Sequence, residues 1–448
     1  MDDADRIYAY LSRALSPNKA KQIIRSVPVR NPDVIDDRGR WGRHATAANH
    51  AAMELFDRLG KLINIPPVSI EFVPGDGSDW EEGSTKAENV YPFLFSEGHL
   101  GVPQKLLYKA YLVAIPVFMR LKKGLGSDGL VHPSDTFTES ISNSCAVILL
   151  ANPAHQTALN VRKRLVQSTA VDARHELEVT TALLTSILWH HRRWLLRHVF
   201  APFTTSTEAS AEHGADSLIN VDMTPEAFQE EFAVTAKACE TYHRNYYAWI
   251  HRYICLESLT ILARSSSPFA AVYHSLLVGE FTSMRRWVEL HVSDYTAVQY
   301  LCAVETFFLG ATHPGSSRAL PSSVLDAPPM LDHAASLVES FPDHETLWLY
   351  LRASTSVPRR NGTSDRDTRN QLLSFARRYI TAYPSSSAVP QSLTTADSPL
   401  IHRHACRLVA WLSLQQGLLT GREGQLARHM IAGNVDNQEI LRELSLEQ

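Results

Sequence analysis

A tryptophan followed at fixed spacing by an arginine recurs along this chain, and that recurrence constrains the fold more than any other feature. The fullest copy is Trp189-His190-His191-Arg192-Arg193-Trp194-Leu195-Leu196. On a helix, Trp189, Arg192, Arg193 and Leu196 share one face, because residues three, four and seven apart stand in line. An arginine beside a buried indole needs acceptors, since an unpaired buried charge is strongly unfavourable. The expected acceptors are carbonyls at a neighbouring helix end, or a carboxylate gripped by the guanidinium fork. Trp249-Ile250-His251-Arg252 repeats the spacing. Leu159 to Arg162 keeps the arginine and loses the tryptophan. Trp348 to Arg352 keeps the tryptophan, with the arginine one place late. Asp294 to Leu301, with Val298 at the tryptophan position, is a worn copy.

Each copy opens the second helix of a predicted helix pair. The pairs are expected at residues 134–167, 172–200, 225–263, 272–309, 330–354 and 369–419. Asn152-Pro153 parts the two helices of the first pair, and insertions rich in Ser, Thr, Ala, Pro and Gly lie at 201–224, 310–329, 355–368 and 382–399. Residues 104–123 read as one further helix, bent near Pro116. A helix pair cannot bury its apolar face alone, so stacking must supply the core. The fold class expected is therefore all-α: an α/α superhelical solenoid of about five to six helix pairs over residues 104–448. It is preceded by an irregular and helical N-terminal extension, residues 1–103, with short helices at 6–15 and 17–25 and turn chemistry from 31 to 101. The 34-residue period and fixed Gly, Ala and Pro offsets of tetratricopeptide repeats are missing.

Composition narrows the function classes. The chain has 448 residues, 44% hydrophobic and 20% charged, with a net charge of −4. This is a folded composition without the field of a nucleic-acid binder. The longest apolar run holds Pro116 and is too short to span a bilayer. Five dispersed cysteines without a CxxC point to reduced thiols and a cytoplasmic setting. Gly124 to Gly129 matches GxGxxG, but Pro133 follows where a helix should run, and Leu149 and Leu150 stand where a ribose-binding acid belongs. His402 and Cys406 share a helix face with no evident third metal ligand.

The repeats resemble those of the protein prenyltransferase α-subunit family, which read roughly Asn-Pro-x-x-Tyr-x-x-Trp-x-x-Arg. Residues 152–163, 189–196 and 244–252 carry the pattern. Trp287 to Tyr295 and Gly98 to Val102 resemble one branch in particular, the α-subunit repeat-containing proteins. The resemblance covers about residues 90–355. It implies a right-handed α/α solenoid wrapped around a β subunit that carries the zinc; no cofactor is expected in this chain. It implies transfer of an isoprenoid, of the geranylgeranyl kind for this branch, from its diphosphate to a protein cysteine. The family's α subunit lends a lysine to the leaving diphosphate, two residues before the tyrosine of repeat two. Here Leu184 and Ser186 stand at those positions, and no lysine lies between Arg164 and Lys237. The alternative is a non-catalytic α-solenoid scaffold for protein–protein interaction.

No catalytic or metal-binding residue is assigned to this chain. Arg193, His191, Asn245, Tyr246 and His251 are the candidates for substrate or partner contact at a groove. Trp189, Arg192, Trp249, Arg252, Arg162 and Trp348 are read as the structural signature, since one motif repeated along a chain cannot be one active site. The partners expected are a prenyltransferase β subunit, a prenyl diphosphate and a cysteine-containing protein, with no nucleic acid and no membrane span.

Overall fold

The computed structural model describes residues 43–78, 90–125, 135–183, 188–200, 216–243, 245–265, 268–310, 324, 327–357, 364–381, 398–417 and 421–431. The expected helices at 6–15 and 17–25, most of the glycine motif, Leu184, Ser186, Arg244 and much of the insertions lie outside these residues.

The described N-terminal part holds more regular structure than its turn-rich sequence suggests. Helix α1 (Arg43–Asn64) precedes strands β1 (Ser69–Val73), β2 (Leu94–Ser96) and β3 (His99–Pro103). The sheet has the order β1-β3-β2, with β3 parallel to β1 and antiparallel to β2. The β2–β3 hairpin turns on Glu97 and Gly98, both at positive φ (51° and 84°), which is the geometry of a tight two-residue loop. A side chain on Gly98 would also meet Val68 at 2.8 Å. These strands, short and bounded by prolines, carry too few alternating positions to register as strands in the sequence. Helix α1 is likewise absent from the sequence reading of this region.

Helix α2 (Gln104–Gly124) and α1 both pack on α3 (Asp135–Ala151), the first helix of the array. At one crossing the backbones come very close: a Cβ on Gly60 would lie 2.5 Å from that of Asn143. The partner of α3 and five more pairs follow in order. They are α4 (Gln156–Gln167), paired with α3; α5 (Ala173–Ala182) with α6 (Leu188–Val199); α7 (Pro225–Thr241) with α8 (Tyr246–Arg264); α9 (Ala270–Leu290) with α10 (Tyr295–Gly310); α11 (Met330–Ser340) with α12 (Glu345–Ser354); and α13 (Asp365–Thr381) with α14 (Ser398–Gln415). A last helix, α15 (Gly421–Ile431), packs on α14 and has no counterpart in the sequence reading. The all-α solenoid expected from the repeats is the fold, with the small sheet as a minor addition.

We call the first helix of each pair A and the second B. The B helices form a continuous row: α6 packs on α8, α8 on α10, α10 on α12 and α12 on α14. Their starts are set by local capping. His155, Asn245 and Asp294 each accept a hydrogen bond from the backbone of the first turn of their B helix. Asp172 and Thr224 do the same for α5 and α7.

The core divides into two hydrophobic clusters that meet at α6. Leu188 belongs to the N-terminal cluster with α1 to α5, and its neighbour Trp189 to the cluster that runs on to α15. Between them lies a buried layer of charge.

Candidate functional site: a buried ladder and the rim above it

The signature arginines each tie three helices together. From B helix α4, Arg162 donates through Nε and Nη2 to Glu176 on the next A helix, α5, at 2.6 and 2.5 Å. Its Nη1 donates to the Ser142 carbonyl on its own A helix, α3, at 3.2 Å. Arg192 on α6 repeats this with Glu231 on α7, at 2.7 Å for both bonds, and turns Nη1 back to Leu177 O and Thr181 Oγ1 on α5. Arg252 on α8 does the same with Glu280 on α9, at 2.7 and 2.8 Å, and with Phe232 O and Thr235 Oγ1 on α7. These are bidentate, charge-assisted pairs, the geometry for which a guanidinium is preorganised.

Each glutamate is held from the other side by its own B helix. His191 Nε2 lies 3.1 Å from Glu176, His251 Nε2 2.8 Å from Glu231, and the Tyr300 hydroxyl donates to Glu280 at 2.7 Å. The same residues stack: the Trp189 ring lies 4.7 Å from His251, Trp249 5.5 Å from Tyr300, and Trp348 6.4 Å from His404. The tryptophan of one repeat therefore covers the residue two places beyond the tryptophan position of the next.

All of these groups are buried. Burial opposes ionisation of Glu176 and Glu231, but the paired arginines and histidine bonds outweigh it and hold both carboxyls at about 2. Burial pushes His191 and His251 below the ordinary histidine range, against the pull of their glutamates. Both rings are thus neutral at pH 7, and Nε2–H donates to the carboxylate. Their Nδ1 atoms have no hydrogen-bond partner, the less costly arrangement when that atom carries no proton. Burial and Glu280 push the Tyr300 hydroxyl far above its usual range, so it too is a neutral donor.

This geometry corrects the placement of three candidates. His191 and His251 do not face a groove; their side chains are 2% and 0% exposed and are consumed by the ladder. Arg193 is buried as well, paired with Asp216 and bonded to His190 at 3.0 Å. The physical reason is that the residue after each histidine must reach the next A helix, which turns the whole inner face of the B helix into the core. Asn245 caps α8, and its side-chain amide also reaches Ala238 O at 3.4 Å. Tyr246 alone of the five is well exposed, at 58%. The signature residues Trp189, Arg192, Trp249, Arg252, Arg162 and Trp348 are all interior.

Sequence reasoning anticipated a carboxylate but did not name Glu176, Glu231 and Glu280. Their signal was available: each is an acid on an otherwise apolar face of an A helix.

What remains accessible is the edge where A helices turn into B helices. Because the pairs stack in the same sense, these turns fall on one rim. Tyr242, Tyr246 and Tyr247 at the third turn, Leu290 and Tyr295 at the fourth, and Phe341 at the fifth are all exposed large apolar residues. Tyr246 and Tyr247 pack edge to face at 5.8 Å.

The donor set does not fit a metal. Among the described residues no group of three or more His, Cys, Asp or Glu is arranged to hold an ion. Cys255 lies 3.6 Å from His251, and Cys406 3.8 Å from His402. Burial pushes the Cys145, Cys239 and Cys302 thiols up to about 12, away from the thiolate a metal requires. No described helix is long and apolar enough to cross a membrane.

Comparison with known proteins accords with the ladder. The protein prenyltransferase alpha subunit repeat matches residues 228–259, which hold Glu231, Trp249, His251 and Arg252. The chain is 28% identical over 293 residues to protein prenyltransferase alpha subunit repeat-containing protein 1 of Danio rerio, covering 59% of this chain and 64% of that protein. The Homo sapiens protein of the same name is 28% identical over 245 residues, covering 48% and 58%. The Xenopus laevis protein 1-B is 29% identical over 253 residues, covering 48% and 54%. The matches thus span less than two thirds of these relatives' lengths.

Proposed function

From a chain that carries protein prenyltransferase alpha subunit repeats, we propose an α-type subunit of a heterodimeric protein prenyltransferase. In this reading it helps a zinc-bearing β subunit transfer an isoprenoid, of the geranylgeranyl class, from its diphosphate to a protein cysteine. The observation that carries the reading is the division of labour along each repeat. The polar signature is spent inside, on holding the helices in register, while aromatic side chains are exposed on one rim. Tyrosine and other aromatics are the residue types that anchor protein interfaces. A solenoid that presents Tyr242, Tyr246, Tyr247, Tyr295 and Phe341 in successive turns offers a partner a row of anchors.

The chemistry falls to the partner. The described residues of this chain offer no metal donor set, and the sequence has no lysine between Arg164 and Lys237 to meet the leaving diphosphate. In the β subunit the zinc would bind the substrate protein's cysteine and favour its thiolate; this chain contributes shape, rigidity and the rim. The missing lysine favours a second reading, a non-catalytic scaffold that keeps the fold without the chemistry.

Purified chain mixed with prenyltransferase β subunits tests the two. The reading expects a stable 1:1 complex by size exclusion and prenyl transfer that neither protein performs alone. Tyr246→Ala with Tyr247→Ala should weaken the complex at least about tenfold, or roughly 1.4 kcal/mol, at unchanged melting temperature. A chain that ignores every β subunit offered leaves the scaffold; a complex without transfer does the same for the enzyme half of the reading.

A further inference from the structure

Two sequence features, Pro66-Pro67 and the stretch from Gly98 to Val102, belong to neither the ladder nor the rim. They meet at the connection from α1 to β1, residues 64–68, which is anchored at both ends in the helical array. At its start, Asn64 joins the first rung of the ladder. Its Nδ2 donates to Asn143 Oδ1 on α3 at 2.8 Å, and its Oδ1 accepts from Nη2 and Nη1 of Arg162 on α4 at 3.3 and 3.4 Å. Arg162 is the residue that grips Glu176 on α5. Helix α1 itself packs on both α3 and α5. The start of the connection is thus tied to the first two pairs.

Its end is tied to the third. The Val68 carbonyl accepts from Lys237 Nζ on α7 at 2.8 Å, across 169 residues of sequence. The Val68 N–H donates to Gly98 O at 2.7 Å. Gly98 has a φ of 84°, and a Cβ there would lie 2.8 Å from Val68 Cγ2, so glycine is what lets the β2–β3 hairpin close on Val68. Beside it, Ser69 Oγ and His99 Nδ1 meet at 2.7 Å across the β1–β3 register. Gly98 and His99 therefore serve to fix Val68 in place. Between the anchors there is little slack. Four residues reach at most about 14 Å when fully extended. Pro66 and Pro67 have φ set by their rings, and Pro67 is buried.

We propose that residues 64–68 form a strut that sets the angle between the first and third helix pairs, with the β2–β3 hairpin as its fastening. Neighbouring repeats in a solenoid touch only each other, so small deviations at each junction add along the array. A short, stiff tie that reaches from pair one to pair three removes that freedom. Lys237 stands one turn before the end of α7, and the turn that follows carries Tyr242, Tyr246 and Tyr247. The strut therefore also fixes where those exposed tyrosines stand relative to the first pair. The device does not depend on the identity of the partner, and its test uses none.

Paired spin labels on the full chain, in a Cys302→Ala background, read the distances by pulsed electron–electron double resonance. Asn160→Cys on α4 with Glu230→Cys on α7, both exposed, reports the spacing of pairs one and three. Glu230→Cys with Asp332→Cys on α11, also exposed, reports pairs three and five, beyond the strut. Without further change, the first distance should be single and narrow. Lys237→Met, which keeps the length of the side chain and loses its donor, should broaden that distribution about twofold. Pro66→Gly with Pro67→Gly, which slackens the strut and keeps both anchors, should do the same. Lys237→Met is a surface change and keeps the test sound if the glycine variant misfolds. The distance between pairs three and five should not change in either. Equal widths for pairs one and three with and without the changes overturn the inference. So does equal broadening of both distances, which would mean general loosening and not the loss of a strut.

Discussion

The third and fourth helix pairs are joined by a bidentate arginine–glutamate clamp; the fourth and fifth lack that clamp at the equivalent positions. Between α8 and α9, Arg252 grips Glu280 with both arms of its fork, and Tyr300 closes the site. One repeat on, the arginine position is Leu301 and the glutamate position is Met330, both buried, and Met330 meets the Tyr350 hydroxyl as Glu280 meets that of Tyr300. His333 meets the Tyr350 hydroxyl at 3.0 Å and Glu289 at 3.3 Å. Both members of the clamp have changed together, so neither half is left as an orphan charge. The contrast shows that the solenoid does not need an ion pair to stack a repeat. What it cannot hold is half of one: a lone buried carboxylate or guanidinium is far worse than a neutral, well-packed pair. The clamped junctions therefore specify register, and the neutral one relies on shape.

The largest expected effect comes from removing a shared acceptor. Glu231→Ala strands Arg192 and His251 together in the core and should cost about 3–5 kcal/mol in a denaturant titration. Met330→Leu, a volume-conserving change at the equivalent place in the fifth pair, should cost under about 1.5 kcal/mol. Equal losses would remove the distinction between the junctions.

Acid should act first through the buried histidines, His333 of the fifth pair included. A histidine whose folded pKa is depressed, as for His191 and His251, loses its contribution as pH falls through the ordinary range near 6.5, because the unfolded chain takes up the proton first. Glu176 and Glu231, held at about 2 in the fold, contribute stability that is present above about 4.5 and lost between there and 2, roughly 3 kcal/mol each. Melting temperature against pH should fall in these two windows. Glu231→Gln should flatten the lower one, and an unaltered profile would show that the carboxylate is not held by Arg192.

A graft sharpens the comparison. Arg252→Leu and Glu280→Met singly should each be strongly destabilising; combined, they copy Leu301 and Met330 of the next junction. A double-mutant cycle should then show a favourable coupling above about 1 kcal/mol. Strict additivity would mean that the two side chains do not form one unit.

The converse change is the smallest. Leu301→Arg with Met330→Glu installs a clamp between pairs four and five. Amide exchange in α11 and α12 should slow by a factor equivalent to about 1 kcal/mol of opening free energy. Faster exchange would show that the apolar packing around Leu301 is worth more than the clamp.

Helix positions were largely legible in the chain. The bounds of α4, α7 and α11 follow from Asn-Pro, Thr-Pro and Pro-Met starts and from apolar period, which are local signals. The site was legible only in outline. The arginine's need for a carboxylate follows from desolvation alone, but which acid meets it depends on contacts between helices 14 to 39 residues apart. The sheet and α1 were hidden for a similar reason: β1 pairs with β3 across 30 residues, and the strands are too short to show alternation.

Sequence by itself determined that this chain is a stack of helix pairs with arginine, histidine and tryptophan at recurring places. Those are properties of spacing, and a helix converts spacing into a face without help from the rest of the molecule. Only the tertiary structure decided which way each face turns. Once the arginines reach across to the next repeat, His191, His251 and Arg193 are drawn inward, and Tyr246 is left at the rim. A side chain's exposure is set by what the neighbouring helix covers, and that neighbour is chosen by the stacking of the whole array.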